Sequence, residues 1–236
     1  MRIGVFDSGL GGVNVLSCLR SKYPNNDYVY FGDTKNLPYG DKSIDELNKL
    51  AKEAINFLLT KDVEIIIIAC GTVSSTCYNK LKEEYSIPIY DIITPTIEYI
   101  KESNLDKIGV IGTKRTIESN VFNIPNKHVL MKATPSFVPI IENSQIEEKE
   151  QEIINELTDF VDSDILILGC THYPSLKKVI DKMNIKTLDM GEILTNKINI
   201  SDSGNGTCEL YFSQISIRLI VNINKILGDN FKIYTK

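Results

Sequence analysis

Residues Ile65–Thr72 read IIIIACGT. Four consecutive isoleucines leave no polar face, so the run suits a strand buried on both sides, as in a parallel sheet covered by helices. It stops on a small residue, a thiol and a glycine (Ala69, Cys70, Gly71), and Thr72 stands where a helix should begin. Open α/β sheets bind their ligands beyond the carboxyl ends of their strands. A thiol at that place also meets the N–H groups of the following helix, which favour a thiolate.

A second copy follows at Ile165–Thr171, ILILGCT, and its Cys170 lies 100 residues after Cys70. An earlier pair repeats in the same way: IGVFDSG at Ile3–Gly9 against IGVIGTK at Ile108–Lys114, an offset of 105. The expected fold is therefore α/β, with two pseudo-symmetric parallel-sheet halves, each delivering one thiol from a strand end to a cleft between them. The expected division gives residues 1–94 plus 208–236 to the first half and 95–207 to the second.

Composition agrees with a globular protein: 42% hydrophobic and 24% charged residues over 236 positions are ample for a core. A net charge of −5, with no Lys/Arg cluster, argues against nucleic acid or an anionic membrane as main partner. No segment approaches the ~20 apolar residues of a membrane span, and Asp7 interrupts the first apolar run too early for a signal-peptide core. Five cysteines without C-x-x-C spacing point to a reducing cytoplasm and away from a disulfide framework or a metal site.

Strands alternate with helices along the chain. The first strand, 2–6, runs into a glycine-rich turn, Asp7–Gly12, and a helix ending before Pro24. Tyr28–Phe31 reads as the next strand. Ser43 and Glu46 have capping-box spacing before a helix whose apolar face is Ile44, Leu47, Ala51, Ala54, Ile55 and Leu58. A helix over Thr72–Glu84, a strand at Ile87–Tyr90, a crossing between halves at Thr94-Pro95 and a helix over 96–103 are expected next. The strand Ile108–Ile111 follows. Residues 120–136 have no clean period, and Phe137–Glu142 is an apolar segment closed by a carboxylate. Ser144 with Glu147 suggests a helix start; after the Cys170 strand come a helix opened by Pro174, a strand near Ile185–Leu188 and a helix over 190–199. The polar stretch Ser201–Thr207 reads as a crossing back to the first half, and Ile215–Leu227 as the last helix, stopped by Gly228.

A buried cysteine is ordinarily an inert small hydrophobe, and Cys18, Cys77 and Cys208 read that way. Cys70 and Cys170 differ because they recur at equivalent strand ends. Inverting a carbon centre without oxidising it means taking a proton from one face and returning one to the other. Each group must act as base in one direction and acid in the other, so two matched thiols suit the task; a free thiol near pKa ~8.5 is partly ionised at neutral pH. Asp7, ending the strand beside that of Cys70, and His172, two residues beyond Cys170, are the expected assistants; His128 reads as structural. Gly9-Leu10-Gly11, with Asp33 ending the next strand, also resembles a dinucleotide fingerprint, although Asn14 replaces its third glycine.

Several motifs together carry a family resemblance. Asp7-Ser8-Gly9-Leu10-Gly11-Gly12, Tyr30-Phe31-Gly32-Asp33, Pro38-Tyr39-Gly40 with Lys42-Ser43, and Ala69-Cys70 lie in the first half. Ile111-Gly112-Thr113 with Thr116-Ile117-Glu118-Ser119, Phe137-Val138-Pro139 with Glu142, and Leu168-Gly169-Cys170-Thr171-His172-Tyr173-Pro174 lie in the second. Over roughly 3–180 the chain resembles the bacterial glutamate racemases of the Asp/Glu racemase superfamily. The resemblance implies a cofactor-independent, two-thiol racemase that interconverts L- and D-glutamate for peptidoglycan synthesis, and usually a homodimer. It implies Cys70 and Cys170 as the bases, assisted by Asp7 and His172. Substrate contacts would come from Ser8, Pro38, Tyr39, Gly40, Gly71, Thr72, Thr113, Thr116 and Thr171, with Asp33 and Glu142 as further polar positions.

One position departs from the pattern. The family normally reads Ala-Cys-Asn-Thr where this chain has Ala69-Cys70-Gly71-Thr72. The asparagine is expected to hold the amino-acid head group, and losing one such bond in a dry site costs ~1–3 kcal/mol. Three readings stay open: a racemase for glutamate or, second, aspartate; a dinucleotide-dependent oxidoreductase; and a binding protein that kept the cleft without catalysis.

Overall fold

The computed structural model describes all residues, Met1–Lys236. Strand β1 (Arg2–Asp7) is followed by α1 (Gly12–Lys22), β2 (Asp27–Gly32), α2 (Ile44–Leu59), β3 (Ile65–Ile68), α3 (Gly71–Thr76), α4 (Tyr78–Glu84) and β4 (Ile89–Asp91). The chain continues through α5 (Ile93–Glu102), β5 (Lys107–Gly112), α6 (Lys114–Glu118), β6 (His128–Ala133), α7 (Phe137–Glu142) and α8 (Glu150–Leu157). Then come β7 (Ile165–Leu168), α9 (Lys177–Lys182), β8 (Thr187–Asp189) and α10 (Met190–Lys197), and a return through β9 (Cys208–Phe212), α11 (Ile217–Leu227) and β10 (Lys232–Thr235).

The strands form two sheets, one in the order β10-β9-β2-β1-β3-β4 and one in the order β6-β5-β7-β8. Every pairing is parallel. Strands β2-β1-β3-β4 of the large sheet have the order of the small sheet, and the registers match: Ile3 faces Ile65 as Ile108 faces Ile165. The repeat in the sequence is thus a repeat in space. In each sheet the chain reverses direction of progress between its first and third strands, the switch point at which such sheets open a crevice. Cys70 and Cys170 follow the third strand of their respective sheets.

The isoleucine run shows how the layers are built. With a side-chain period of two, Ile65 and Ile67 enter a 30-residue core cluster while Ile66 and Ile68 enter a second cluster under α2. In β7, Ile167 joins the first cluster, and Leu166 and Leu168 a third beneath α7 and α8. The first cluster draws from both sheets and from α1, α10 and α11, so the halves share one apolar core. Each isoleucine fully removed from water contributes about 1.5–3 kcal/mol.

Several local expectations need correction. The helix expected over Thr72–Glu84 breaks at Cys77 into α3 and α4. Its Ser/Thr run bonds back to the main chain, with Ser75 Oγ and Thr76 Oγ1 both donating to the Thr72 carbonyl (3.0 and 2.7 Å), which competes with the helix ladder. Thr94-Pro95 lies on the crossing from the large sheet to the small one, but within the first turn of α5, where proline lacks only an N–H that would be unpaired anyway; Asp91 Oδ2 accepts from the Ile93 and Thr94 amides. Ser144 starts no helix: its φ of 57° is left-handed, and α8 begins at Glu150. Ile44 is 49% exposed, so the apolar face of α2 begins at Leu47. The capping box of Ser43 and Glu46 is present. The edge strand β6 and the late strands β9 and β10 had no counterpart in the reading of the sequence.

Candidate active site

Cys70 and Cys170 line one cavity of about 130 Å³. Ser8, Pro38, Tyr39, Gly40, Gly71, Thr72, Thr113, Thr171 and His172 share its wall. The thiols are 4% and 7% exposed, so any reaction between them is shielded from bulk water. A larger cavity, about 290 Å³, lies between the Thr34–Leu37 segment and α11; it holds neither thiol and shares only Leu37 with the first.

The two sulfurs have different surroundings. Cys70 Sγ donates to Ser8 Oγ at 3.5 Å. Burial, and next the Asp7 carboxylate, push this thiol up to about 12, against the opposing pull of Ser8 and the Val73 amide. Cys70 is therefore held protonated, whereas helix N–H groups alone would have favoured a thiolate. Cys170 Sγ lies 3.6 Å from His172 Nδ1, and His172 Nε2 lies 3.1 Å from Glu142 Oε1. Burial works against a charged His172, but its bonds to Cys170 and Glu142 override that and hold it well above the ordinary histidine value. One thiol thus carries its proton, and the other has a cationic imidazole beside it.

The remaining expected residues fall into a wall and a support behind it. Asp7 is fully buried and hydrogen-bonds to neither thiol; its Oδ1 accepts from the Gly9 amide and its Oδ2 from Thr171 Oγ1, across the two halves. Thr72 Oγ1 and Thr113 Oγ1 are 3.0 Å apart, again across the halves, and Thr116 Oγ1 stands 3.0 Å behind Thr113. Asp33 lies behind Tyr39, accepting from the Tyr39 hydroxyl (2.7 Å), Asn36 and Ser213. Glu142 reaches the cavity only through His172.

Some wall residues had not been singled out: Leu37, Asp41, Lys114, Thr134 and Pro135. Two lie in the stretch 120–136, whose lack of period hid the strand that positions them. Asn14 was noticed only as a missing glycine; its Nδ2 donates to the Thr171 carbonyl at 2.9 Å and ties α1 to the second thiol's loop.

The glycine turn is closely packed, against the second half at Gly11 and against its own half at Gly12. A Cβ on Gly11 would lie 2.6 Å from His172 Nδ1, and one on Gly12 2.9 Å from the Tyr30 hydroxyl. Gly71 faces the second half in the same manner: a Cβ there would lie 2.6 Å from the Gly169 carbonyl oxygen.

Known proteins resemble this chain along its whole length. A family model described as Asp/Glu/Hydantoin racemase matches residues 14–198. Glutamate racemase of Aquifex aeolicus is 39% identical over 97% of this chain and 95% of its own. The structure of glutamate racemase from Aquifex pyrophilus superposes with a TM-score of 0.85 at 37% identity, covering 100% of this chain and 98% of that one. The Francisella tularensis glutamate racemase, solved in complex with D-glutamate, gives 0.87 at 31% identity over 100% and 96% of the two chains.

Proposed function

Because the chain belongs to the Asp/Glu/Hydantoin racemase family and is an amino-acid racemase, we propose that it interconverts L- and D-glutamate without a cofactor, by two-base proton transfer between Cys70 and Cys170. The observation that carries this reading is the pair of sulfurs, one from each repeat, on the wall of one cavity.

The two environments support an order for the first move. The Cys170 sulfur, with the His172 cation at its side, takes the α-proton from the enantiomer that presents its Cα–H to it. Cys70, held as the thiol, delivers its proton to the opposite face of the carbanion. The product leaves with inverted configuration, Cys170 protonated and Cys70 as thiolate, the form that takes the other enantiomer. Asp7 holds the Gly9 turn and Thr171 in register across the halves. Ser8, Thr72, Thr113 and Thr171, with the backbone at Pro38–Gly40, offer donors for the two carboxylates and acceptors for the ammonium group.

The resemblance further supports a role in supplying D-glutamate to peptidoglycan, in the cytoplasm, by a homodimer; light scattering on the purified chain tests the last point. No helix is long and apolar enough to cross a membrane. Gly71 favours a second reading, in which the missing side chain moves the preference to aspartate or another amino acid. Incubating the protein with a panel of L-amino acids in deuterated water, and following α-proton exchange and the sign of rotation, separates the two. Cys70→Ala and Cys170→Ala should each lose racemisation with the thermal midpoint retained. A single variant that still racemises at a similar rate would sink the two-thiol mechanism.

A further inference from the structure

One wall of the cavity is the loop from Leu37 to Asp41 of the first half. Its inner side is fixed to its own half, since the Tyr39 hydroxyl donates to Asp33 and the Lys42 amide turns back to the Tyr39 carbonyl at 3.2 Å. Its far end is fixed to the other half. Arg115, on α6, reaches across and donates from Nε and Nη2 to the Lys42 carbonyl at 3.2 and 2.9 Å. Glu118, on the same short helix, steers the guanidinium from 3.5 Å. Two residues before Arg115, Thr113 closes on Gly40 so tightly that a Cβ there would lie 3.0 Å from the threonine Cβ.

The thiols are almost wholly covered, and these walls flank the way to them. The neighbouring link between Thr72 and Thr113 is a single contact between small neutral groups. The Arg115 link is charge-assisted, two-pronged and made to main chain, where a planar fork has no equivalent among other side chains. We propose that Arg115 is a positioning residue: its bond to the Lys42 carbonyl fastens the Leu37–Lys42 loop over the occupied cavity and releases it to admit and discharge substrate. This inference rests on the racemase reading for its kinetic consequence, but not for its structural one.

Two measurements on Arg115→Ala and Arg115→Lys test it. Hydrogen–deuterium exchange of the amides at 39–43 should accelerate about tenfold in Arg115→Ala, the value of one lost charge-assisted bond, while strands β1 and β7 keep their protection. In α-proton exchange and racemisation assays KM should rise about tenfold with kcat changed less, and Arg115→Lys, which retains one donor, should recover part of both effects. Unchanged loop exchange together with unchanged KM overturns the proposal, as does a fall in kcat at constant KM. A wild-type protein that exchanges no α-proton removes the racemase reading instead, and the loop-exchange arm still decides the latch.

Discussion

The substitution Gly71→Ala adds one methyl group at a close approach of the two halves. Its Cβ would stand 2.6 Å from the Gly169 carbonyl oxygen, with Met190 Cε at 3.6 Å. An ordinary carbon–oxygen contact is about 3.3 Å, so a gap of about 0.7 Å must open. The obstacle is main chain on the strand end that carries Cys170, not the tip of a flexible side chain, so the shift passes directly into the spacing of the thiols. Overpacking of this size costs about 1–3 kcal/mol, and displacing reacting groups by about 1 Å can cost about 100-fold in rate. The expectation is a fall of about 10- to 100-fold in kcat/KM, read by α-proton exchange in deuterated water, with a small drop in thermal midpoint. Gly71→Asn, which restores the side chain of the family pattern, carries the same Cβ and should be no better than alanine. A Gly71→Asn protein with higher kcat/KM and an unchanged midpoint would refute this reasoning, and would show that the position lacks a head-group contact and is not a packing point.

Three other outcomes follow from the surroundings of single groups. In Glu142→Gln the charge supporting His172 is gone, so the ring should lose its proton at lower pH, as followed by NMR of the histidine ring. Because the folded value is raised, the stability His172 contributes is complete below about pH 6.5, the unfolded value, and disappears as pH climbs on through the higher folded one; the variant's thermal midpoint should therefore decline at lower pH than the wild type's. Iodoacetamide labelling of Cys70 in a Cys170→Ala background, followed by peptide mass spectrometry, should still be accelerating at about pH 9, above the ordinary thiol value; a plateau below that pH would contradict the influence of burial and Asp7. Asp33→Ala strips the acceptor from Tyr39, Asn36 and Ser213 and should cost about 1–3 kcal/mol, or about 2–4 °C of midpoint per kcal/mol. Adding Tyr39→Phe to that variant should recover part of the loss, since the hydroxyl is then no longer stranded.

Where residues were decided by neighbours in the sequence, the sequence was enough. The isoleucine run, the capping box at Ser43 and the stop at Gly228, with φ of 70°, all have local causes. So did the repeat, because the same strand-end geometry was written twice. The placement of Asp7 beside Thr171 and of Asn14 on the Thr171 carbonyl could not be read, as both bonds join residues more than 150 positions apart. Strand β6 escaped because an edge strand with half-buried residues lacks a clean alternation, and β9 because Cys208–Phe212 alternates over only five residues. Asp33, expected only as a further polar position of the family pattern, accepts from Tyr39 and from Ser213, a partner supplied by the far end of the chain.

That far end has a bearing on how the molecule is made. Strand β9 pairs with β2, and Phe212 packs on Tyr30 with ring centres 5.6 Å apart. The outer flank of β2 is thus covered by residues that leave the ribosome after the whole four-stranded sheet has emerged. Until then its row of amides and carbonyls is bare, an invitation to pair with another nascent chain. A premature stop anywhere before Cys208 would leave that flank open for good, and such fragments should be found in inclusion bodies.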